Sequence, residues 1–558
     1  MRIDLIEWGL PDDEAATEWP LGEKSTATIS AAAASEAMAA DRPGADYLLF
    51  WDKALGPPPI HSLSKIAEGG DVVHAGLSLG AGGQPPELDM IMADWSLFDP
   101  PDHVRCTSWR MSPRCCLVRV AMLRALGGLD PAFSSADGAF LEAGLRWQSA
   151  GAILWHDPSL LSNALAVPRT APVVPLSDRY LLVLRHQKRV WARYVLTRRC
   201  LAGHPPWRER TAYRAALEAA SARPAPAPAF WEWGERESPP EAPREEPRIS
   251  VIIPTLGRYP YLPAALESIR RQTVRPVEVI CVDQNPSAER RPEVYQPFDD
   301  LNVNVIWQDE RGQSLARNTA LAATTGDYIY MFDDDSVAAP DVIERHLELI
   351  RKYGADASTG VSYPPPPTDY SLPEGFRNPR VSQTFDTGNS LISRRALDVV
   401  GGLDRAYDRG VNTDVDFATR IYLGGMLIIH NPFASRVHYK APIGGLRTYG
   451  AWWMNTASGW FGPFPAPTQV YYMNRFMTPR QRRERVILLS LNTMTRARSG
   501  PLGSRGSRRR SLAGMALFAA QWPLRFGRAW AAGRRLHRAG PIIPSPQSVA
   551  DQTIPSRG

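Results

Sequence analysis

The chain has 558 residues, which is too long for one compact domain and predicts two to four domains. Hydrophobic residues make up 44% and charged residues 22%, a balance that is typical of globular proteins and argues against a disordered chain. The formal net charge is +6, but residues 475–540 hold sixteen arginines and a single acidic residue, so the basic character belongs to the C-terminal region and not to the whole fold.

The cysteines and the apolar segments restrict the location of the protein. Its five cysteines form no CxxC pair, which argues against a zinc ribbon and favours a reducing compartment. The N-terminal segment has no basic stretch followed by an apolar core, so we predict no secretory signal. The longest apolar run, residues 511–524, contains Gln521 and Pro523 and is too short to span a bilayer. We therefore expect a cytoplasmic protein.

A first folded region precedes a linker. Residues 46–52, DYLLFWD, predict a buried strand, and residues 179–199 form a basic, aromatic run that predicts a helix. Proline and charged residues dominate residues 205–247, which predicts an extended linker between two folded regions.

The second region alternates strands and helices. Apolar runs predict strands at residues 248–254, 277–283, 303–307 and 327–332, and helical spacing predicts helices at residues 262–272 and 314–324. This order is typical of a doubly wound, mostly parallel α/β sheet. Ligands bind such sheets at the carboxyl ends of the strands, where Asp283 and Asp333 lie.

Part of the sequence occurs twice. Residues 123–158 align without a gap to residues 397–432 at a constant offset of 274 positions, with ten identities. The strand DYLLFWD likewise resembles DYIYMFD at residues 327–333. These matches predict that the first region is a second copy of the same fold. Chance similarity between two glycine-rich helical segments is the alternative.

The two copies differ where chemistry is expected. Asp52-Lys53-Ala54 stands opposite Asp333-Asp334-Asp335, and Phe140 stands opposite Asp414. The first copy is also much shorter before its DYLLFWD strand, which leaves little room for strands that would hold a nucleotide. We interpret the first copy as degenerate and non-catalytic.

Three consecutive aspartates follow the strand at residues 327–332. Their charges repel one another and raise their pKa values unless a cation neutralises them. In an extended chain Asp333 and Asp335 point to the same side. One of them can hold a hard divalent cation, Mn²⁺ or Mg²⁺, which would neutralise a departing diphosphate, and the other can contact sugar hydroxyls. A solvated acidic turn or a helix N-cap before Val337 is the alternative.

Asp414 and Asp416 lie in the first turn of a predicted helix. Two carboxylates there can simply favour the helix dipole, and for Asp416 this alternative stays open. For Asp414 we favour a general base that takes a proton from an acceptor hydroxyl, because the first copy has Phe140 there and has also lost the aspartate triplet.

Three further residues are candidates for ligand contacts. Arg317 can bind phosphate or position a nucleotide, with a surface salt bridge as the alternative. Asp283 can accept a hydrogen bond from a nucleobase N–H or cap a turn. A neutral His438 can complete a metal site or be an ordinary structural histidine. GxGxxG, Walker, GxSxG and HExxH motifs are absent, so redox, kinase-like, esterase and zincin functions lack their usual support.

These segments together resemble family-two glycosyltransferases of the GT-A fold. The motifs VIIPTLGR, EVICVDQNP, GQSLARNTAL, GDYIYMFDDDS, GNSLISRRALDVVGGLD and TDVDFATR occur in the order of that family within residues 248–440. The resemblance implies inverting transfer of a sugar from a nucleoside-diphosphate sugar. It also implies that Thr255, Asp283 and Arg317 contact the nucleotide. Asp333 falls on the position that contacts the ribose, and we include Asp334 in the same donor site.

The resemblance assigns the remaining roles as well. Asp335 falls on the metal ligand, His438 on a position where many members have a metal-contacting histidine, and Asp414 on the catalytic base. Two positions depart from the family pattern. Thr413 precedes Asp414 where the family usually has glutamate, and Gln284 follows the second strand where it usually has aspartate or asparagine.

The C-terminal region predicts a surface contact. Its aromatic stretch at residues 446–476 can stack on acceptor sugars or pack as a helical cap. Residues 511–538 combine leucine, phenylalanine and tryptophan with arginines, which favours peripheral contact with an anionic membrane at the inner face of the plasma membrane. Packing between domains is the alternative. We expect no nucleic-acid partner, because no recognised binding motif is present.

The sequence therefore predicts four segments. They are a degenerate GT-A-like domain at residues 1–165, a basic helix and proline-rich linker at residues 166–247, a catalytic GT-A domain at residues 248–440, and an aromatic, arginine-rich helical region at residues 441–558. We expect a metal-dependent hexosyltransferase that moves a sugar from a nucleotide-diphosphate sugar, preferably a UDP-sugar, to a glycan or lipid-linked acceptor in surface polysaccharide synthesis.

Two other functions stay open. A non-catalytic scaffold of a glycan-assembly complex is one, although Asp333, Asp335 and Asp414 argue against it. A nucleotidyltransferase is the other, but such enzymes usually have a glycine-rich, basic loop after the first strand, and PTLGRYPYLP has one glycine and one arginine there. The first copy would be a scaffold, an acceptor platform or a dimer surface, which leaves a homo-oligomer open.

Overall fold

The computed structural model describes residues 2–8, 34–36, 38, 44–75, 86–90, 103–162, 174–223, 229–232, 246–445, 462–499 and 508–544. The chain divides into two units, residues 1–235 and residues 236–558, and each is considered by itself. Within the described ranges, no helix is both long enough and apolar enough to cross a membrane.

A six-stranded sheet with the order β1-β2-β5-β3-β6-β4 forms the centre of the first unit. Its strands are β1 (Ile3–Trp8), β2 (Tyr47–Asp52), β3 (Val72–His74), β4 (Cys106–Thr107), β5 (Cys115–Arg119) and β6 (Leu154–His156). Its helices are α1 (Leu63–Ala67), α2 (Pro86–Asp89), α3 (Val120–Leu126), α4 (Ala136–Ser149), α5 (Leu176–His186), α6 (Arg189–Leu201) and α7 (Pro206–Ala222). Strand β5 is antiparallel to both neighbours, whereas β1 pairs with β2 and β3 with β6 in parallel.

The predicted linker at residues 205–247 is wrong in its first part, because helix α7 occupies Pro206–Ala222. Glu209 on this helix is buried and accepts hydrogen bonds from the Tyr180 hydroxyl at 2.6 Å and from Arg199 Nε at 2.8 Å. Alanine-rich sequence and a proline in the first turn both favour a helix, and the prolines on either side of it obscured this signal. Helices α5 to α7 therefore belong to the core of the first unit, which extends beyond residue 165.

A nine-stranded mixed sheet forms the centre of the second unit, with the order β11-β15-β12-β14-β10-β7-β8-β9 and β13 paired to β15. Four of its strand pairs are parallel and four are antiparallel, so the sheet is less parallel than the sequence predicts. Its strands are β7 (Ile249–Thr255), β8 (Glu278–Asp283), β9 (Val303–Trp307), β10 (Tyr328–Phe332), β11 (Ser336–Ala338), β12 (Ala357–Tyr363), β13 (Arg380–Val381), β14 (Asn389–Ser393) and β15 (Ile428–His438). Its helices are α8 (Leu262–Arg270), α9 (Gln313–Ala323), α10 (Val342–Tyr353), α11 (Arg394–Val400), α12 (Thr413–Leu423), α13 (Pro467–Phe476), α14 (Pro479–Ser499) and α15 (Arg508–Ala539).

Helices cover both faces of this second sheet. Alternate residues of a strand point to opposite faces, so Val251 packs with α8 and α10, whereas Ile252 packs with α9, α11 and α12. The strands are buried on both sides, which explains why they are continuous apolar runs in the sequence. The predicted α/β class is confirmed, and each predicted strand and helix of residues 248–332 lies within two residues of its observed bounds.

The C-terminal helices belong to the second unit rather than to a separate region. On α13, the Tyr471 hydroxyl donates to Asp404 at 2.7 Å, and beyond α15 the Ile542 N–H donates to the same carboxylate at 3.0 Å. On α15, Phe518 packs edge-to-face on Phe464 and the Trp522 indole donates to Ser490 on α14. These aromatic residues follow the packing alternative, and residues 446–461 of the aromatic stretch lie outside the described residues.

The two sheets share an order and a set of strand directions. The path β4-β6-β3-β5-β2-β1 in the first unit corresponds to β13-β15-β12-β14-β10-β7 in the second, with parallel and antiparallel pairs at the same places. Strands β4, β5 and β6 and helix α3 begin 274 residues before β13, β14, β15 and α11. The structural correspondence thus has the same offset as the sequence repeat.

Candidate active site

A cavity of about 390 Å³ opens where β7, β8 and β10 end in the second unit. Its lining is strongly charged and contains five carboxyl groups, three guanidinium groups and one imidazole. These are Asp333, Asp334, Asp335, Asp386 and Asp414, then Arg258, Arg317 and Arg436, and finally His438. The carboxyl ends of parallel strands meet at one edge of a sheet, which brings together residues that are far apart in the sequence.

Two arginines hold Asp333 immediately after β10. Arg317 on α9 donates to one carboxylate oxygen at 2.8 Å, and Arg436 on β15 donates to the other at 2.7 Å. The buried surroundings oppose ionisation of Asp333, but these two cations outweigh that effect and hold its pKa well below its usual range. Asp333 is therefore ionised at neutral pH and fixed in orientation.

Asp335 and His438 form a second cluster beside Asp333. Strands β11 and β15 pair Ser336 with His438, so the imidazole lies next to the aspartate triplet. Asp335 Oδ2 accepts a hydrogen bond from the Ala441 N–H at 2.9 Å. Asp335 Oδ1 is buried 3.3 Å from His438 Nε2 and accepts no hydrogen bond from the described residues.

The geometry of this cluster fits a metal ion. Candidate ligand atoms of Asp333, Asp335 and His438 all lie within 4.8 Å of one another. A buried carboxylate oxygen without a donor is costly unless a cation or water satisfies it. Two carboxylates and one imidazole suit Mn²⁺ or Mg²⁺, with oxygen ligands in the majority.

Asp334, the middle residue of the triplet, is nearly inaccessible and faces Arg258. Its Oδ1 accepts a hydrogen bond from Arg258 at 2.9 Å. Desolvation raises the pKa of Asp334 to about 6, and the Arg258 charge limits this rise. Asp334 lines the cavity, as expected of a donor-site residue, but its hydrogen bond is made to the protein.

Asp414 has an open carboxylate in the first turn of α12. Its Oδ1 accepts a hydrogen bond from the Thr387 hydroxyl at 2.7 Å, while the rest of the carboxylate faces the cavity. The concave surroundings remove water from the group and, together with the nearby Asp386 charge, raise the pKa of Asp414 to about 6. Such a carboxylate is a stronger base than a free aspartate, yet it is mostly ionised at neutral pH.

Asp416 has a structural environment. It is fully buried and accepts hydrogen bonds from Arg420 at 2.9 Å, from Arg475 at 2.5 Å and from the Tyr407 hydroxyl at 3.1 Å. It does not line the cavity. Of the two carboxylates in this turn, only Asp414 can reach a ligand there.

The expected contact between Asp283 and a nucleobase disagrees with the structure. Asp283 is fully buried, and its Oδ2 accepts hydrogen bonds from the hydroxyls of Tyr259 at 2.6 Å and Tyr295 at 2.8 Å. Its Oδ1 accepts two more from the backbone and side chain of Asn285. Four donors from the protein satisfy this carboxylate, so it organises the loop after β8 instead of facing the cavity, and Gln284 is the residue of this strand end that lines it.

Thr255 and Arg317 lie in the cavity lining as expected for ligand-contacting residues. Arg317 Nε is buried and has no hydrogen-bond partner among the described residues, and the buried Thr255 hydroxyl lies beside the Asp334 carboxylate. Buried polar atoms without partners are uncommon in proteins. A guanidinium N–H on α9 is therefore available to a polar ligand.

Sequence reasoning gave no role to four residues of this site, namely Arg258, Asp386, Thr387 and Arg436. Arg436 gave a usable signal, because it precedes His438 by two positions in one strand and must share its face. Arg258 stands within the quoted motif VIIPTLGR but was given no role. Thr387 gave no local signal, since its role depends on the position of Asp414, which is 27 residues away.

The corresponding place in the first unit contains different groups. Asp52, at the end of β2, accepts a hydrogen bond from Arg114 Nε at 2.7 Å. Phe140 on α4 is fully buried and packs edge-to-face on Phe50, with ring centroids 5.2 Å apart. An ion pair and two aromatic rings thus fill this part of the first unit.

Comparisons with known proteins agree with the location of the cavity. The family model described as glycosyl transferase family 2 matches residues 250–401, about a quarter of the chain. The uncharacterized glycosyltransferase YwdF of Bacillus subtilis is 30% identical over 168 residues, which is 28% of this chain and 62% of that protein. Glycosyltransferase GlyA of Streptococcus pneumoniae is 30% identical over 118 residues, 21% of this chain and 17% of that protein.

Among solved structures, a mannosyltransferase from Pyrobaculum calidifontis in complex with GDP-Man and Mn²⁺ gives a TM-score of 0.34 at 20% identity, covering 54% of this chain and 89% of that chain. The chain spans less than two thirds of the length of the curated relatives named above. The matched segment contains β7 to β14 and the aspartate triplet. Residues 250–401 of this chain therefore match the model of glycosyl transferase family 2 and resemble the glycosyltransferases named above.

Proposed function

We propose that the protein is an inverting glycosyltransferase that moves a sugar from a nucleoside-diphosphate sugar to a hydroxyl of a glycan or lipid-linked acceptor in surface polysaccharide synthesis. One observation carries the proposal. A single cavity combines a cation-binding cluster, Asp333, Asp335 and His438, with an open carboxylate, Asp414, whose pKa is raised to about 6.

Asp414 acts as the general base. It accepts the proton of the acceptor hydroxyl while the hydroxyl oxygen attacks the anomeric carbon from the face opposite the diphosphate. The new glycosidic bond forms as the bond between the anomeric carbon and the diphosphate oxygen breaks, and the nucleoside diphosphate leaves with that electron pair. The Thr387 hydroxyl keeps the carboxylate aimed into the cavity through its 2.7 Å hydrogen bond.

Asp333, Asp335 and His438 would hold a divalent cation, Mn²⁺ or Mg²⁺, and such a cation would supply positive charge to the departing diphosphate. The charge balance of the lining supports this assignment. Five carboxyl groups face three guanidinium groups, so two negative charges are unmatched when all five carboxyl groups are ionised. One divalent cation would balance these two charges. The raised pKa of Asp334 is consistent with this excess of acidic groups.

Thr255 and Arg317 contact the donor, since both line the cavity and Arg317 Nε has no partner among the described residues. Arg317 also pairs with Asp333, so its guanidinium group lies beside the proposed cation site and can attract the diphosphate of the donor. Recognition of the base does not run through Asp283, because protein donors already satisfy that carboxylate. The preference for a UDP-sugar stays a prediction that a donor panel tests.

The first experiment incubates the full chain with Mn²⁺ and a panel of UDP-, GDP- and dTDP-sugars, and measures the nucleotide product and the heat of nucleotide binding. We expect one class of donor to release nucleoside diphosphate, and Asp335→Ala to lose metal-dependent nucleotide binding. Release of pyrophosphate would instead indicate nucleotidyl transfer. Absence of nucleotide binding to wild type and variant alike would favour a scaffold.

We further propose that residues 1–235 contain a degenerate copy of the same fold, without a catalytic site. The common sheet order and the constant offset of 274 residues support the duplication. The Asp52–Arg114 ion pair and the buried Phe140 support the loss of the site. This unit then provides a scaffold, an acceptor platform or a dimer surface.

Peripheral contact with an anionic membrane is proposed for the outer side of α15. Leu517 and Leu524 are exposed one above the other, and Arg528, Arg534 and Arg535 follow on the solvent side. Apolar residues flanked by arginines suit an interface with anionic lipid. Sedimentation with phosphatidylglycerol vesicles, with phosphatidylcholine vesicles as the control, tests the contact, and Leu517→Asp with Leu524→Asp should abolish it. Equal sedimentation with both lipids would contradict it.

A further inference from the structure

Arg258 lies between the two aspartates that follow Asp333. It lies in the loop that follows β7, and its side chain is only 14% exposed. Its Nη1 lies 2.9 Å from Asp334 Oδ1 and 3.1 Å from Asp335 Oδ2. One guanidinium nitrogen therefore lies between two consecutive carboxylates of the triplet and is close to both.

The two oxygens of Asp335 have different surroundings. Oδ2 lies against Arg258 and the Ala441 N–H, which are both donors. Oδ1 lies 3.3 Å from His438 Nε2 and has no hydrogen bond from the described residues. One hydrogen bond from Ala441 and one ion pair with Arg258 on the same oxygen restrict rotation of the carboxylate and leave the other oxygen directed to the side of Asp333 and His438.

A loop of glycines closes over Arg258. Gly257, Gly444 and Gly445 all have φ between +65° and +74°, where side chains other than glycine are strained. A Cβ atom on Gly444 would lie 2.3 Å from the Gly257 carbonyl oxygen and 2.7 Å from Arg258 Cγ. The Gly445 N–H also donates to the Leu256 carbonyl at 2.6 Å. The segment after β15 is thus fitted against the Arg258 side chain.

We propose that Arg258 is a positioning residue for the cation. It holds Asp335 through Oδ2 so that Oδ1 faces Asp333 and His438, and the loop Ala441–Gly445 holds Arg258 in that place. This inference rests on the proposed function, because it presupposes that the cluster binds a divalent cation. The role differs from that of a ligand, since Arg258 acts on the cation only through Asp335.

Electrostatic repulsion alone predicts the opposite change in cation affinity when Arg258 is substituted. A guanidinium group beside a metal ligand repels the cation, so removing its charge would strengthen binding if Arg258 had no positioning role. Groups that orient metal ligands typically contribute about 10- to 100-fold to metal affinity. The direction of the change on substitution therefore separates the two roles.

The test measures Mn²⁺ affinity from the electron paramagnetic resonance signal of free Mn²⁺, with no nucleotide present. We expect Arg258→Gln and Arg258→Lys each to weaken binding by about 10- to 100-fold. Arg345→Gln is the control, because Arg345 pairs with Asp341 and Glu348 on the surface of α10 and does not line the cavity. Circular dichroism checks that each variant is folded.

A second variant examines the loop without altering any charge. Gly444→Ala should displace the loop from Arg258 and weaken Mn²⁺ binding in the same direction. Gly203→Ala is its control, because Gly203 has φ +90° but has open space around a Cβ atom. It therefore introduces similar backbone strain in the first unit without a clash.

The outcomes separate this inference from the function on which it rests. If wild type binds no Mn²⁺, the proposed cation site fails and the inference fails with it. If wild type binds Mn²⁺ and Arg258→Gln binds equally or more tightly, only the positioning role of Arg258 is overturned. Weaker binding by both Arg258 variants and by Gly444→Ala, with unchanged binding by the controls, supports the proposal.

Discussion

The two units of the chain have the same polar network, which joins one helix to the end of the helix before it. In the first unit Arg146 pairs with Glu142, one turn earlier on α4, and donates two hydrogen bonds to carbonyl groups at the end of α3. In the second unit Arg420 pairs with Asp416 and donates to the corresponding carbonyl groups at the end of α11. Every one of these positions differs by 274 residues, so the network that joins helix and loop is common to both units.

The cavity positions differ between the units although this network is the same. Gly388 in the second unit corresponds to Arg114 in the first. A Cβ atom on Gly388 would lie 2.0 Å from Asp333 Oδ2, so only glycine leaves space for Arg436 to reach that carboxylate. In the first unit the arginine at this position pairs with Asp52 itself. The comparison teaches that the packing network can be the same in two units whose residues at the cavity positions differ.

The open site has an electrostatic cost that the closed one avoids. Asp334 and Asp414 both have pKa values raised to about 6, so their charged forms are less stable in the folded protein than in the unfolded chain. With a raised pKa, this penalty is absent at low pH and grows as the pH rises above the unfolded value. Phe140, at the position of Asp414, has no such penalty, and a bound cation would relieve it in the second unit.

Asp414→Asn should have the largest effect on the reaction rate, because it leaves the second unit, like the first, without a carboxylate at this position. Without a base, we expect the rate of donor hydrolysis, with water as the acceptor, to fall by about 10²- to 10⁴-fold while nucleotide binding is retained. Release of nucleoside diphosphate and calorimetric titration measure the two quantities. Asp398→Asn, on the exposed side of α11, is the control. An unchanged rate in Asp414→Asn would remove Asp414 from the mechanism.

Gly388→Ala tests the position that separates an open cavity from a closed one. The added Cβ atom meets Asp333 Oδ2 at 2.0 Å and Arg436 Nη1 at 2.2 Å, so the Asp333–Arg436 ion pair must shift. We expect Mn²⁺ affinity to fall by about 10- to 100-fold, as for other changes beside metal ligands. Gly527→Ala is the matched control, because nothing lies within 4 Å of a Cβ atom there. Equal Mn²⁺ affinity in both variants would show that the glycine is not required.

The pH dependence gives a smaller and more specific effect. Because the pKa of Asp414 is raised to about 6, the ionised fraction of this base and the rate should increase as the pH rises through that value. The Thr387 hydroxyl stabilises the ionised form, so Thr387→Val should move the midpoint upward by up to about one unit. Thr387→Ser keeps a hydroxyl and should restore the wild-type midpoint. A midpoint that does not move in Thr387→Val would assign the profile to another group.

Local patterns in the sequence predicted the sheet and the acidic part of the site. Strands β7, β8 and β10 are largely buried and appear as apolar runs, so their positions need no knowledge of the fold. Asp333, Asp335 and Asp414 stand at strand and helix ends that such patterns locate. His438 was a candidate from its residue type alone, and the family resemblance suggested the same metal contact at its position.

Contacts between distant segments were beyond the sequence. Arg436 reaches Asp333 across 103 positions, and the two tyrosines that satisfy Asp283 come from separate segments of the chain. The same limitation explains helix α7, because a proline-rich composition does not reveal that Glu209 finds the buried Arg199. Sequence reasoning thus identified candidate residues at the ends of strands and helices. Whether each of them faces a ligand depends on hydrogen-bond partners from distant parts of the chain.

The smallest expected difference concerns the common network. Arg146→Gln and Arg420→Gln each remove a guanidinium group that pairs with a buried carboxylate, and breaking such a pair typically destabilises a protein by about 3–5 kcal/mol. Hydrogen–deuterium exchange of peptides from α3 and α11 measures the loss in each unit separately. We expect each variant to reduce protection in its own unit, with the smaller loss in the second unit, because Asp416 keeps its hydrogen bonds from Arg475 and Tyr407 when Arg420 is replaced. If one unit loses protection and the other does not, the two networks do not have the same structural role, and the case for duplication would rest on sheet topology alone.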